Sequence, residues 1–263
     1  MAELDTADGI DAESTITQFV FTPRGGVERL SGRVRTLTVY QAMMQDSFGD
    51  WVEQTPVKMR TERFDERGAV IERDRYGDTG ELVDRAVFAY DAQGRLIERT
   101  HYDTAGVAYL RYAYGLDDAG RLVEMTGLDP SGAQRSHLRR RYSPDGRLIG
   151  LSEWHDLREA VGETRWQIDY AVGGGPTQSD GQYLRDGELV ERLLVRYDAD
   201  GHVRENLRLS PDGEWTEKTH YLFGPQRERG NWVRRVTEQC VRRFGQEQFQ
   251  PTSVTYRRFT FFG

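Results

Sequence analysis

Apolar and polar residues alternate along most of this chain in short blocks, and a four-residue turn separates each block from the next. Most of these turns begin with Asp or Ser, and all end with Gly. The spacings between the first seven turn glycines alternate between 12 and 14 residues, which defines a 26-residue unit with two turns. The turn glycines are Gly68, Gly80, Gly94, Gly106, Gly120, Gly132, Gly146, Gly201 and Gly213.

The turn chemistry predicts β-hairpins. In the segment from Asp91 to Gly94, Asp occupies the position whose side chain caps turn amides, and Gly occupies the position where φ becomes positive. A type I turn followed by a left-handed Gly is a common hairpin loop. Each turn is therefore expected to join two antiparallel strands.

The residues that flank the turns predict one shared apolar face. An aromatic residue or Leu lies four positions before each turn glycine, and a mostly apolar residue lies two positions after it, as with Tyr90 and Leu96. The separations between these residues are even, so a side-chain period of two places them together. This face also includes Glu98 and Glu124, between aromatic and leucine neighbours.

These patterns predict an all-β antiparallel meander of stacked hairpins, in a coiled or barrel-like sheet with the Tyr/Leu face inward. We expect 14–16 strands in a single domain over 20–263, with a flexible acidic tail at 1–19 and an irregular repeat section at about 150–185. The end strands are expected to be exposed edges, through which a homodimer could form.

The segment from Tyr90 to Leu96, Tyr-Asp-Ala-Gln-Gly-Arg-Leu, resembles the YD repeat of RHS-type bacterial proteins. Close variants occur at 118–122, 144–148 and 197–201, and the clear match covers about 64–150 and 187–215. The chain is similar to small stand-alone YD-repeat proteins without a toxin domain. The resemblance implies a coiled sheet of hairpins. In large RHS proteins such a sheet surrounds a toxin domain and is associated with sugar binding, but this chain is too short for a closed shell with cargo.

Composition narrows the class of protein. The net charge of −7 argues against a general nucleic-acid binder, and no apolar run approaches a membrane helix. The acidic first residues lack the features of a secretory signal, which predicts a cytoplasmic protein, or a periplasmic or secreted one if a signal has been removed. A single cysteine excludes an internal disulfide framework. No metal-ligand spacing or cofactor motif is found, so we expect neither metal nor cofactor.

Three groups of residues are candidates for binding. Glutamates follow alternate turn glycines by four residues, and two of them lie beside tyrosines in the expected register. This arrangement fits a sugar-binding groove or the active site of a hydrolase. The structural alternative is that these glutamates form buried hydrogen bonds or pair with arginines. Aromatic residues and a histidine lie in the irregular section and could form a binding site or fill the core. Clustered arginines near the end of the chain could hold an anionic partner or the acidic N-terminal tail, or lie on a solvated strand face. The candidates are Glu72, Glu98, Glu124, Glu205, Tyr112, Tyr114, Trp154, His155, Trp166, Arg234, Arg235, Arg242 and Arg243.

The sequence thus favours a non-enzymatic binding or scaffold protein that recognises carbohydrate or a protein partner, without nucleic acid or membrane insertion. Two alternatives stay open. The first is an accessory or immunity-like partner of a polymorphic toxin system, and the second is a glycoside hydrolase that uses the glutamate series.

Overall fold

The computed structural model describes residues 18–21, 27–157, 160–170, 176–243 and 246–263. These residues contain strands and turns, with no helix among them. The strands are β1 (Gln18–Phe21), β2 (Val27–Leu30), β3 (Val34–Ser47), β4 (Asp50–Glu53), β5 (Val57–Phe64), β6 (Val70–Tyr76), β7 (Leu82–Tyr90), β8 (Leu96–Tyr102), β9 (Ala108–Leu116), β10 (Leu122–Leu128), β11 (Gln134–Tyr142), β12 (Leu148–Leu157), β13 (Ala160–Tyr170), β14 (Pro176–Arg185), β15 (Glu188–Tyr197), β16 (Val203–Leu209), β17 (Trp215–Phe223), β18 (Arg227–Glu228), β19 (Asn231–Trp232), β20 (Arg234–Arg243) and β21 (Gln246–Phe261).

Sixteen of these strands form a closed antiparallel barrel, which confirms the all-β, barrel-like meander. Strands β3, β5 to β17, β20 and β21 make up its wall, and β4 pairs with the end of β3. The barrel closes because β3 pairs with β21 along Val34–Met43 and Ser253–Phe261. The prediction of exposed end strands is therefore wrong, and the sheet edges on which a homodimer would depend are paired with each other.

The turns have the predicted geometry. All nine turn glycines named above have a positive φ, between 78° and 89°. At the turn of the first YD segment, the Gly94 amide donates to the Asp91 carbonyl at 3.0 Å. The Asp91 carboxylate also accepts hydrogen bonds from the amides of Gln93 and Arg95, at 3.0 and 2.8 Å. The type I turn and the left-handed Gly therefore both follow from local chemistry.

The tyrosine of the YD segment links consecutive repeats. The Tyr142 hydroxyl donates to the Leu122 carbonyl at 2.8 Å, and the Tyr90 and Tyr170 hydroxyls donate in the same way to Val70 and Leu148. Burial raises the pKa of the Tyr90 hydroxyl above its usual range, so this group stays a neutral donor. Each of these three bonds ties one hairpin to the hairpin before it.

A β-bulge follows most of these turns and changes which residues face inward. Tyr90 pairs with Leu96, but Ala89 pairs with Glu98 and Phe88 with Arg99. One extra residue in β8 therefore reverses the alternation after Leu96, because side chains alternate between the two faces of a strand. The predicted common face is correct for β7 and for the residues that adjoin each turn, and wrong for the short strands beyond the bulge.

Apolar residues fill one end of the interior and polar residues fill its middle. The largest apolar cluster contains Phe88, Tyr114, Met125 and Leu138, on β7 and β9 to β11. Near β3 and β21, the same end is covered by Leu30, which is 1% exposed, and by a loop whose Asn231 side chain bonds to both the amide and the carbonyl of Ser31. This end of the barrel is therefore closed by side chains and by a loop.

The irregular section of the sequence is regular in three dimensions. Strands β12, β13 and β14 continue the antiparallel wall, each with 10 or 11 residues where the repeat strands have seven or nine. The predicted acidic tail lies outside the described residues, apart from Gln18 and Phe19 in β1.

Candidate functional site

The glutamate series lies on the outer wall, which corrects its predicted position among the aromatic residues. Glu98 pairs across the strands with Ala89 and Ala113, on the face opposite Phe88 and Tyr112. Its carboxylate lies 3.6 Å from the Arg111 guanidinium, and its side chain is 38% exposed. The residue that sits between Phe88 and Tyr112 is Arg99, because of the bulge in β8.

Glu124 shows the same displacement. It pairs with Gly115 and Arg139 on the outer wall, whereas Met125 takes the inner position between Tyr114 and Leu138. The Glu124 carboxylate lies 2.6 Å from Nε2 of His137 and 3.8 Å from Arg139. The predicted pair of catalytic carboxylates therefore consists of two outward groups, each with its own basic partner.

The other two members of the series also have basic partners. Glu72 forms ion pairs with Arg63 and with Arg85. The Glu205 carboxylate accepts a hydrogen bond from Arg196 at 2.6 Å and lies 3.2 Å from His220 Nε2. Burial tends to raise the pKa of Glu205, but His220 and Arg196 outweigh burial and lower it. The repetition of these glutamates is explained by ion pairing on the wall.

The two predicted tyrosines face inward and help to pack the core. Tyr112 lies under the Arg99 guanidinium, which is 4.2 Å from the ring centroid, and its ring covers Gly127 of the next strand. A Cβ at Gly127 would lie 2.9 Å from the Tyr112 ring, so this contact requires glycine. Tyr114 belongs to the apolar cluster and is 8% exposed. Neither ring is presented to a ligand on the outer wall.

The two tryptophans do not form one site. Trp154 lies on the outer face of β12, opposite His137 and Glu163, and is 36% exposed. Trp166 points inward and covers Gly181, where a Cβ would lie 2.7 Å from the indole ring. The side chain of His155 lies outside the described residues. Of the three, only Trp154 is known to face solvent.

The predicted arginine patch is divided between different environments. The Arg235 guanidinium lies 4.7 Å from the Tyr221 ring centroid, and Arg242 stacks on Trp215 at 4.2 Å. Arg234 lies 4.0 Å from the Glu53 carboxylate. The side chain of Arg243 is outside the described part of the chain. Strand alternation separates Arg234 from Arg235, so these arginines do not form one patch.

Sequence reasoning missed a network of polar residues inside the barrel. The Asp84 carboxylate lies 2.9 Å from Nδ1 of His101 and accepts a hydrogen bond from the Tyr109 hydroxyl at 2.6 Å. Burial tends to raise the pKa of Asp84, but the bonds from His101 and Tyr109, together with attraction from His101 and Arg75, lower it. Burial and the bond to Asp84 raise the pKa of Tyr109. This network joins β7, β8 and β9 and satisfies the buried carboxylate.

A second group of interior charges lies deeper. Glu153 of β12 is 2% exposed and interacts with Arg140 and with Arg99 of β8, four strands away. Burial raises the pKa of Glu153 to about 8, against the opposing attraction of the two arginines. Glu62 is fully buried beside Arg73, with Arg73 Nε 2.8 Å from its carboxylate. Asp84 and His101 lie on the two strands of one hairpin, so their contact depends on its exact register, whereas Arg99 and Glu153 lie four strands apart and meet only in the folded barrel.

One group of three potential metal ligands occurs among the described residues. It consists of Asp198, Asp200 and His202, whose ligand atoms lie within 4.8 Å of one another. Asp198 already accepts hydrogen bonds from the amides of Asp200 and His202, at 3.0 and 2.9 Å. This is the bonding pattern of the repeat turn, so turn formation accounts for the group.

In the part of the chain that the structure describes, no helix has the length and apolar character required to cross a membrane.

Several solved structures are similar to this chain. A porin-like protein from Bacteroides uniformis is similar over 88% of this chain and 99% of that chain, with a TM-score of 0.57 and 14% identity. The TcdB2-TccC3-TEV structure matches 91% of this chain and 16% of its own, with a TM-score of 0.32 and 12% identity. A Photorhabdus luminescens Tc holotoxin pore matches 89% of this chain and 21% of its own chain, with a TM-score of 0.20 and 11% identity. No protein-family model and no curated protein matches the sequence.

At 14% identity, the porin-like neighbour shows the barrel fold alone. The low TM-scores of the two Tc structures carry no argument about function. The resemblance to YD-repeat proteins therefore stays a prediction.

Proposed function

We propose that this chain is a non-enzymatic binding or scaffold protein that works in water and contacts a protein or carbohydrate partner through its outer surface. The observation that carries the proposal is the outer wall, where charged residues occupy the middle of the strands and pair with one another. Examples are Glu98 with Arg111, Asp180 with Arg192 and Glu205 with Arg196.

A wall with this many charged residues is favourable in water and unfavourable in a lipid bilayer. A barrel that spans a bilayer presents an apolar band about 25 Å tall, and a lysine or arginine at mid-membrane costs about 2–4 kcal/mol. The middle strands of this wall carry Arg85, Arg111, Arg139 and Arg165, all with partly exposed side chains. Their number and position support the absence of membrane insertion.

The interior supports a binding role on the outside. Barrels of 16 to 18 strands in porins leave an aqueous channel. Here inward residues such as Leu138, Glu62, Ser179 and Val195 are almost completely buried, so they do not line an open aqueous channel. Partners would therefore contact the outer wall or the rims of the barrel.

The glutamate geometry disfavours the hydrolase alternative. A glycosidase uses two carboxyl groups on either side of one sugar, one of them protonated. Glu98 and Glu124 instead lie on the outer wall, 3.6 Å from Arg111 and 2.6 Å from His137, and the tyrosines expected to hold the sugar face inward. The glutamates serve the wall rather than a groove.

Three measurements on the purified chain test this proposal. We expect a monodisperse protein without detergent, no flotation with phosphatidylcholine vesicles, and no turnover of aryl glycosides by wild type. Flotation, or turnover that Glu98→Gln together with Glu124→Gln abolishes, would overturn it.

A glycan array separates the two classes of partner. Exposed Trp154 is the aromatic platform for a sugar on the outer wall, so binding to an array glycan should fall with Trp154→Ala and persist with Val87→Ala, a second exposed apolar residue of the wall. An array without binding would remove carbohydrate and leave a protein partner.

A further inference from the structure

One hairpin extends beyond the barrel rim. Residues 44–47 at the end of β3 pair with 50–53 of β4 rather than with β21, and Phe48 and Gly49 form the turn between them. Every residue from 45 to 52 is exposed. The hairpin of Met44–Glu53, called the Phe48 hairpin below, therefore adds little to the packed core.

At the tip of this hairpin, Phe48 occupies a turn position that requires a positive φ, which is unfavourable for a bulky residue. Phe48 has φ 55° and Gly49 has φ 94°, which are the two positive values of a type I′ turn. Asn or Asp is favoured at the first of these positions, and the matching hairpin at the end of β14 uses Asp186 before Gly187. A bulky side chain in left-handed backbone is an outlier that the fold alone does not explain.

Phe48 is also fully exposed. Its relative exposure is 108%, and Trp51 and Val52 add exposed apolar surface on the same hairpin. The Asp46 carboxylate accepts a hydrogen bond from the Gly49 amide at 2.8 Å, which holds the turn in place. The hairpin therefore presents an aromatic side chain to solvent on a backbone with a defined shape.

The charge of the hairpin is one-sided. No Lys or Arg occurs from residue 36 to residue 57, whereas Asp46, Asp50 and Glu53 lie within five residues of Phe48. Asp46 and Asp50 are exposed. An anionic membrane would repel these carboxylates, and two copies of the hairpin would repel each other. A protein surface rich in lysine or arginine would complement the negative charge of the hairpin.

We propose that the Phe48 hairpin docks into a protein partner, with Phe48 in an apolar pocket and lysine or arginine residues around that pocket. The idea rests on the proposed binding function and names the kind of partner that one surface would take. A buried aromatic anchor with a charged rim is a common source of affinity and of association rate in protein interfaces.

A photo-crosslinking competition tests the docking. A photo-reactive amino acid replaces the neighbouring exposed Ser47 in the full chain, and the labelled protein is illuminated with soluble extract from its own cells, with phosphatidylcholine–phosphatidylglycerol vesicles, or alone. We expect a discrete protein adduct in the extract, with the cross-linked peptide next to Lys or Arg. Unlabelled wild type and Val87→Asn should compete equally, whereas Phe48→Asn should need at least about tenfold more protein.

The charge of the rim gives a second readout. Asp50→Lys should lower the adduct yield, and high salt should lower the yield for wild type more than for Asp50→Lys. No adduct, equal competition by Phe48→Asn, an adduct with lipid or an adduct with a second copy would each overturn the proposal. Vesicle flotation that is equal for wild type and Phe48→Asn would instead overturn the proposed function, so the two failures are distinguishable.

A stability measurement excludes a structural role for the aromatic ring. Phe48→Asn places the favoured residue in the type I′ turn, so Tm should rise by about 2 °C while competition is lost. A fall in Tm with Phe48→Asn would show that Phe48 serves the fold, and would count against docking.

Discussion

Two arginine–glutamate pairs of equal length lie on opposite faces of the barrel wall. The Arg73 and Glu62 side chains are 7% and 0% exposed, and their charged groups approach to 2.8 Å in the interior. The Arg165 and Glu163 side chains, on the outer wall, also approach to 2.8 Å but are 58% and 36% exposed. The two pairs have the same length and differ in burial, and Glu62 also has a second arginine, Arg60, at 3.4 Å.

Access of water determines how much each ion pair contributes to stability. An exposed pair in high dielectric adds little to stability, whereas a buried charge that loses its partner keeps its full desolvation penalty. The inner charges therefore depend on their partners for stability, whereas the outer charges stay hydrated.

The largest expected effect comes from breaking the inner pair. Arg73→Met removes the closer of the two arginines beside the fully buried Glu62 and leaves Arg60 at 3.4 Å, so the unfolding free energy should fall by about 3 kcal/mol. Denaturant titration measures this loss. Arg165→Met is the matched control on the outer wall, and an equal loss in both variants would contradict the comparison.

The second effect is a pH dependence from Glu153. Its pKa of about 8 in the folded state exceeds the ordinary value of 4.5, so the folded state binds a proton that the unfolded state releases. Stability from this group is complete below pH 4.5 and is lost as pH rises through about 8, with a fall of about 2 kcal/mol between pH 6 and pH 8. Glu153→Gln should remove this slope; an unchanged slope would show that another group titrates.

A smaller effect is expected for the bond between repeats. Tyr142→Phe deletes the hydroxyl that donates to the Leu122 carbonyl at 2.8 Å, but leaves a ring on which Arg121 can stack. We expect a loss of about 1 kcal/mol by denaturant titration. Tyr142→Leu should cost more because the ring also disappears, and a neutral Tyr142→Phe would show that packing alone selects tyrosine.

The smallest effect belongs to the outer wall. Glu98→Gln removes a partly exposed carboxylate 3.6 Å from Arg111, so the unfolding free energy should change by less than about 0.5 kcal/mol. Thermal and denaturant melts in low and high salt check this. A loss that survives high salt would place Glu98 in a buried network instead.

Much of the local structure could be predicted from the sequence. Asp91 and Gly94 specify a turn because one caps amides and the other accepts positive φ, and Tyr90 and Leu96 face each other across that turn. Both features depend on residues within a few positions, where spacing is sufficient. The number of strands and the barrel-like form followed from repetition of this unit.

The candidate site could not be predicted in the same way. A single extra residue after Leu96 sends Glu98 outward and Arg99 inward, and no residue type marks that bulge. The same one-residue shift exchanges Glu124 with Met125. Because strand alternation has a period of two, one undetected bulge reverses the assignment of every candidate beyond it.

By itself, the sequence determined the turns, the 26-residue unit and the all-β meander, since each depends on short-range chemistry that repeats. Tertiary structure alone decided the closure of the barrel through β3 and β21, and the meeting of Arg99 with Glu153 across the interior. These contacts join residues that are far apart in the chain, so they depend on the accumulated twist and register of all the strands between them.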